Sequence, residues 1–238
     1  MKDLTKGSPS KVMISFAVPV ALGNIFQLCY SLADTRVVGS TLGEAALAAV
    51  GATTSISTLF IGFLSGLTNG FALLIARQFG AGDKRGVTRY GAGCLLLGGI
   101  TALLLTAACV GSLPFILKLL NVPDALMDQS TAYIRAVLLG LLATMLYNGC
   151  ASILRAVGDT TAPLLFLLFA AVLNVALDLL FILKFGFGVA GAAWATVLSQ
   201  SLSALISLVY MFKRYPVFRF SLPDFKLKPC EIKALYAS

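Results

Sequence analysis

Apolar residues fill this chain in long runs, and short polar breaks between the runs set its elements. A helix rises about 1.5 Å per residue, so roughly 20 residues are needed to cross a bilayer core about 30 Å thick. Runs of that kind cover 12–39, 47–79, 90–113, 131–156, 162–185 and 189–212. The second and fourth are long enough to tilt or to extend past the bilayer. GAGDKRG at 80–86 and NVPD at 121–124 read as turns, and in RAVGDTTAPL at 155–164 Gly158 suits a helix end, Thr160 or Thr161 a cap and Pro163 a first turn. The pattern predicts an all-α membrane protein with a six-helix transmembrane bundle over 12–212. A polar segment at 1–11 precedes it, and a basic stretch at 213–238, interrupted by Pro216, Pro223 and Pro229, follows as a tail or interdomain linker.

Within the runs, a few polar positions break the apolar pattern. Asn174 and Asp178 stand four residues apart inside FLLFAAVLNVALDLLFIL, and so share one helix face. A carboxyl group at membrane depth costs on the order of 3 kcal/mol and therefore faces a cavity or a polar partner. Counting from the outer ends of the runs puts Asp34, Asp178 and Thr196 at a common depth, roughly 8–10 Å below the boundary, with Asn174 one turn deeper. Two carboxylates, an amide and a hydroxyl offer hard oxygen ligands, suited to Na+ or to a shared proton. The same residues also read as a hydrogen-bonded seam between helices. Asn24, Gln27, Tyr30, Tyr133 and Asn148 are further polar side chains within spans and are candidates for lining a cavity. Pro19 lacks an N–H inside the first span, which makes it a candidate kink or hinge. Gly62, Gly66 and Gly70 form a small-residue stripe of the kind that packs helices closely.

Composition narrows the chemistry. The chain has 238 residues, 58% hydrophobic and 12% charged, with a mean hydropathy of +0.92, far from soluble globular composition. The net charge of +8 marks cytoplasmic loops rather than a nucleic-acid partner. With the amino terminus cytoplasmic, only Arg36, Lys118, Arg135 and Lys184 fall on the outer side, so both ends of the bundle face the cytoplasm. The basic amino-terminal segment reads as the start of an uncleaved first helix. There is no His, which removes histidine metal sites and histidine acid–base chemistry. The five cysteines are scattered and read as small buried hydrophobes.

Several stretches together resemble the multidrug and toxic compound extrusion (MATE) transporters: LTKGSPSKVMISFAVPVALGN at 4–24, YSLADTRVVGSTLGEAALAAVGA at 30–52, LTNGFALLIARQFGAGD at 67–83, ILRAVGDTTAP at 153–163, LNVALDLLFI at 173–182 and GVAGAAWATVLSQ at 188–200. The resemblance implies one lobe of a twelve-helix transporter built from two six-helix bundles, the second of which this chain lacks. It implies export of cationic or amphiphilic small molecules across the cytoplasmic membrane in exchange for Na+ or H+, with no enzymatic activity and no cofactor beyond the coupling ion. By position it makes Asp34, Asn174, Asp178 and Thr196 the cation-coupling group, Pro19 a hinge, and 213–238 the stretch leading towards a seventh helix. Three other readings stand beside it. A lipid-linked oligosaccharide flippase of the same superfamily would draw on Arg36 and Arg135. A half-transporter or fragment would need a second bundle. An intramembrane aspartyl protease lacks its G-x-G-D motif here.

Overall fold

The computed structural model describes residues 9–237, with side chains from residue 13 onward. Most of the 1–11 segment therefore lies outside the described residues, although Pro9 already opens the first helix. Eight α-helices follow one another: α1 (Pro9–Leu42), α2 (Glu44–Gly80), α3 (Lys84–Leu119), α4 (Asp124–Leu139), α5 (Leu141–Ala156), α6 (Thr161–Leu179), α7 (Gly188–Arg214) and α8 (Pro229–Tyr236). No strand occurs among the described residues. Among the described residues five helices are long and apolar enough to cross a membrane, and α4 with α5, bent by 43° at their junction, count as a sixth if the pair is taken as one span. Five of the six expected spans are thus single helices, and the run expected as the fourth is a bent helix pair.

The break has a packing cause. At Gly140, between α4 and α5, a Cβ would lie 2.3 Å from Cγ2 of Val197 and 3.2 Å from its Cβ, so only glycine lets α7 approach this closely. α7 supplies the complementary surface, burying Gly191, Ala192, Ala193, Ala195, Ser199, Ser203, Ala204 and Ser207. In a membrane, where lipid tails are as apolar as leucine, small residues at helix interfaces gain their stability from close backbone packing. Two larger apolar clusters fill the rest. One gathers Phe71, Ile75, Ile153, Leu154 and Met211 towards the cation-rich end, and the other gathers Leu64, Leu113, Leu117, Ile134 and Met145 towards the opposite end. Cys94, Cys109 and Cys150 are buried in these clusters as expected, whereas Cys29 and Cys230 are exposed.

One expectation changes and another gains structural detail. Gly62 and Gly66 meet no heavy atom within 4 Å of a built Cβ among the described residues, so this part of the stripe faces away from the bundle and does not pack its helices. The basic stretch after α7, expected as a tail or interdomain linker, packs against the bundle. It forms two short 3-10 turns, Pro216–Phe218 and Leu222–Phe225, and then α8, and folds back on α3. Phe218 and Leu235 are fully buried over Gly91 and Gly93, where a Cβ would come within 3.2 Å of Phe218 and 2.8 Å of Leu235. Thr88 Oγ1 donates to the Val217 carbonyl at 2.7 Å, Arg89 pairs with Glu231 at 2.8 Å, and the Tyr236 and Thr101 hydroxyls bond at 2.9 Å.

Asp159 ties this returning segment to the α5–α6 turn. Gly158, at φ +85°, ends α5 as expected, but Thr160 makes no side-chain cap. Instead Asp159 Oδ1 accepts from the Ala162 N–H at 3.1 Å, while its Oδ2 accepts from the hydroxyls of Tyr210 at 3.0 Å and Tyr215 at 2.8 Å. Burial, and then the bond to Asp159, push the Tyr215 phenol above its ordinary value, which keeps it protonated as a donor. Asp159→Ala removes a cap and strands two phenols, at an expected cost of about 3 kcal/mol. Limited trypsin digestion checks this: cleavage after Lys213 and Arg214 should be slow in the parent chain and fast in the variant. Equal rates would show that the segment is held without Asp159.

Candidate functional site

The polar residues on α1, α6 and α7 converge. Tyr30 and Asp34 are one turn apart on α1, Asn174 and Asp178 one turn apart on α6, and Thr196 lies in the early turns of α7. These three helices pack against one another, so the common depth read from the sequence becomes spatial proximity. The carboxyl groups of Asp34 and Asp178 are near enough to interact electrostatically. Asn174 and Asp178 are fully buried. With the Asn174 amide turned to satisfy both neighbours, its Nδ2 donates to Asp178 Oδ2 at 2.9 Å and its Oδ1 accepts from Thr196 Oγ1 at 3.1 Å. The Tyr30 hydroxyl donates to Thr196 Oγ1 at 3.5 Å, which makes a chain from phenol to carboxylate.

This chain leaves two oxygens over. Asp34 Oδ1 and Asp178 Oδ1 are buried and accept no hydrogen bond among the described residues. Buried acceptors without donors are uncommon in proteins, and each calls for an explanation such as an ion or a proton. Just beyond Asp178 the α-helix widens into a π turn, Leu180–Lys184, a local irregularity often found beside functional groups. Among the described residues no cluster of three or more His, Cys, Asp or Glu side chains forms. The donors that do converge are two carboxylates with an amide and a hydroxyl oxygen, all of them hard oxygen donors.

A cavity of about 360 Å³ opens on the other side of Tyr30. Pro19, Asn24, Gln27, Tyr30 and Asn148 line it as expected, but Tyr133 does not. Tyr133 stands beside the two carboxylates instead, because α4 approaches the site from the far side. Asp34, Asn174, Asp178 and Thr196 are likewise absent from the cavity wall. Tyr30 is the shared partition: it lines the cavity and bonds to the buried group. Ser65, Asn69, Ser152, Arg155 and Gln200, which the sequence did not single out as cavity residues, add to the polar wall. Asn148 Nδ2 donates to Ser65 Oγ at 3.1 Å, and Ser152 Oγ donates to Asn69 Oδ1 at 3.0 Å. Arg155 Nη2 donates to Ser152 Oγ at 2.9 Å and Asn69 Oδ1 at 3.4 Å. In the sequence these residues stand among other polar side chains, with Asn69 beside Thr68 and Gln200 between Ser199 and Ser201, so the pattern did not set them apart.

A family model described as MatE matches residues 19–180, a range that holds every member of the buried group except Thr196. The chain belongs to the MatE family. It is 34% identical over 222 residues to "Probable multidrug resistance protein YpnP" of Bacillus subtilis (strain 168), covering 93% of this chain and 49% of that protein. It is 29% identical to "Probable multidrug resistance protein NorM" of Thermotoga maritima, covering 86% of this chain and 45% of that one. Its fold superimposes on a multidrug resistance MATE family transporter in an outward-facing conformation, with a TM-score of 0.90, 31% identity, and coverage of 98% of this chain and 51% of the other. A MOP superfamily transporter from Pyrococcus furiosus gives the same TM-score, identity and coverage. The chain thus spans about half the length of the relatives it matches. MatE proteins are multi-pass membrane transporters rather than enzymes, which sets aside the aspartyl protease reading.

Proposed function

We propose that this MatE chain is the ion-coupling lobe of an antiporter that exports cationic or amphiphilic small molecules across the cytoplasmic membrane in exchange for Na+ or H+, working together with a second six-helix lobe. The observation that carries the proposal is the facing pair Asp34 and Asp178, whose Oδ1 atoms are buried and accept no bond among the described residues. Two carboxylates at this spacing in a low-dielectric setting repel each other, so a proton or a cation is needed to stabilise them. The free carboxylate oxygens, the Asn174 amide and the Thr196 hydroxyl fit Na+ as well as they fit a shared proton.

The cavity supports the exchange half of the reading. Its polar wall is insulated from the carboxylates by Tyr30, so a substrate and the ion need not touch to be coupled. When the ion leaves, the paired negative charge draws a cationic substrate towards the Tyr30 wall, and repulsion between Asp34 and Asp178 favours separating α1 from α6. When the ion returns, both effects vanish. A ligand shifts such an equilibrium only by its differential affinity for the two states, and a few kcal/mol between the states is enough. Pro19 lies in α1 and lines the cavity, and its missing N–H makes it the place where α1 would bend.

Ethidium efflux tests the function in proteoliposomes holding this lobe joined to its second six-helix lobe. Outward transport should require an inward Na+ or H+ gradient. Efflux independent of both gradients would overturn antiport. The flippase reading draws on Arg36 and Arg135, neither of which is in the cavity wall, and predicts no ethidium movement in the same assay. Tyr30→Phe keeps the partition and removes its hydroxyl, so the ion concentration for half-maximal efflux should shift by only about 2- to 10-fold. A complete loss would mean that the phenol does more than support Thr196.

A further inference from the structure

A second polar feature lies at the cation-rich end, away from the buried carboxylates. The α2–α3 turn and the segment following α7 enclose a pocket of about 700 Å³. Lys84, Arg85, Arg214 and Arg219 line it, and Asp83 is the one carboxylate in its wall. Asp83 is already engaged, because its Oδ1 accepts from the Gly86 N–H at 3.0 Å. Asp224 is near enough to Arg85 to interact with it electrostatically, but its Oδ2 is committed to the N–H and hydroxyl of Ser221 at 2.7 and 2.6 Å. Among the described residues the ion pair formed at this end is Arg89 with Glu231, outside the pocket wall. The pocket wall thus carries four cationic side chains against one carboxylate. It is not a loose surface cluster, since the 3-10 turn at Pro216–Phe218 is pinned by buried Phe218 and by the Thr88 bond to Val217, which fixes the distance between its two walls.

We infer that this pocket binds the phosphate headgroup of an anionic phospholipid from the leaflet at the cation-rich end of the bundle. The shared chemistry is a phosphate anion on guanidinium and ammonium groups, which Arg recognises bidentately. The membrane source is favoured by the pocket's surroundings. Phe79, Val87, Pro216 and Val217 supply apolar wall next to the cations, and exposed Phe212 and Leu222 flank the same segment, an arrangement that seats a headgroup with its glycerol and upper acyl carbons. A basic pocket between helix ends on the cytoplasmic side suits such a lipid. Because the same turn anchors the segment that folds back on α3, a bound headgroup would brace the α2–α3 turn against the chain that leaves α7.

The test uses the purified 238-residue chain in detergent, titrated with dioctanoyl phosphatidylglycerol, dioctanoyl phosphatidylcholine or inorganic phosphate and read by native mass spectrometry. Phosphatidylglycerol should bind at one saturable site, and phosphatidylcholine at the same concentrations should not. Lys84→Gln with Arg85→Gln should weaken phosphatidylglycerol by about 30-fold, as two interfacial cations are lost, and Arg219→Gln alone should weaken it by about 5-fold. Lys226→Gln with Lys228→Gln removes equal charge outside the pocket and should change binding less than twofold. Equal loss in the two double variants would overturn the site in favour of a diffuse basic surface. Inorganic phosphate binding as tightly as phosphatidylglycerol would overturn the lipid source.

Discussion

Asp178→Asn is expected to cut ion-dependent efflux by at least about tenfold, and Asp34→Asn to do the same, while both variants fold. The asparagine side chain is close in size and keeps one oxygen, so packing around α6 is preserved. What it removes is the negative charge and half of the facing pair. With one carboxylate left, the mutual repulsion that the ion relieves is gone, and so is the differential affinity that biases the two access states. A coupling of 1–3 kcal/mol corresponds to roughly 5- to 150-fold, which sets the scale of the loss. If both variants retained undiminished, gradient-dependent efflux, the pair would be a helix-bonding seam. Ala in place of Asn174 separates the alternatives further: a seam would lose stability, whereas a coupling site would lose ion affinity at nearly constant stability once the remaining groups had repacked.

The second large effect is structural. Gly140→Ala should destabilise the bundle by about 1–3 kcal/mol, the usual range for overpacking a close contact. The added methyl meets Val197, whose Cγ2 would be 2.3 Å away, and a β-branched residue in a helix has almost no alternative rotamer to adopt. Gly98 makes a useful contrast. A Cβ there would come within 1.9 Å of Met145 Cε, but the end of a methionine side chain moves easily, so Gly98→Ala should cost less. Thermal unfolding in detergent ranks the two, and Val197→Ala added to Gly140→Ala should restore most of the loss. Since Gly140 has ordinary helical dihedrals (φ −81°, ψ −5°), failure of that rescue would mean that the cost does not arise from the contact with Val197.

The spans and the buried group were legible because both follow from one-dimensional regularities. A run of about 20 apolar residues is set by bilayer thickness, and the four-residue spacing of Asn174 and Asp178 is set by the helical period. Features that depend on where distant segments land were not legible. Tyr133 resembled any other polar side chain within a span until α4 was placed beside the carboxylates. Asn69, Ser152, Arg155 and Gln200 come from three helices and share a cavity only after the bundle closes. The stretch from Tyr215 to Tyr236 looked like a polar tail because Phe218 and Leu235 are diluted by Lys, Arg and Pro, and its landing face, Gly91 and Gly93, carries no side chain to advertise it. Gly62 and Gly66 misled in the opposite direction: the stripe suits close packing, but no helix of this bundle occupies it.

Infrared difference spectroscopy of the lipid-embedded chain, recorded as H+ or Na+ is added, tests most directly whether Asp34 and Asp178 receive the coupling ion. The account predicts a carboxyl or carboxylate band that changes on addition of one of these ions and disappears in the Asp34→Asn, Asp178→Asn double variant. The same ion-induced band in the parent and the double variant would contradict it.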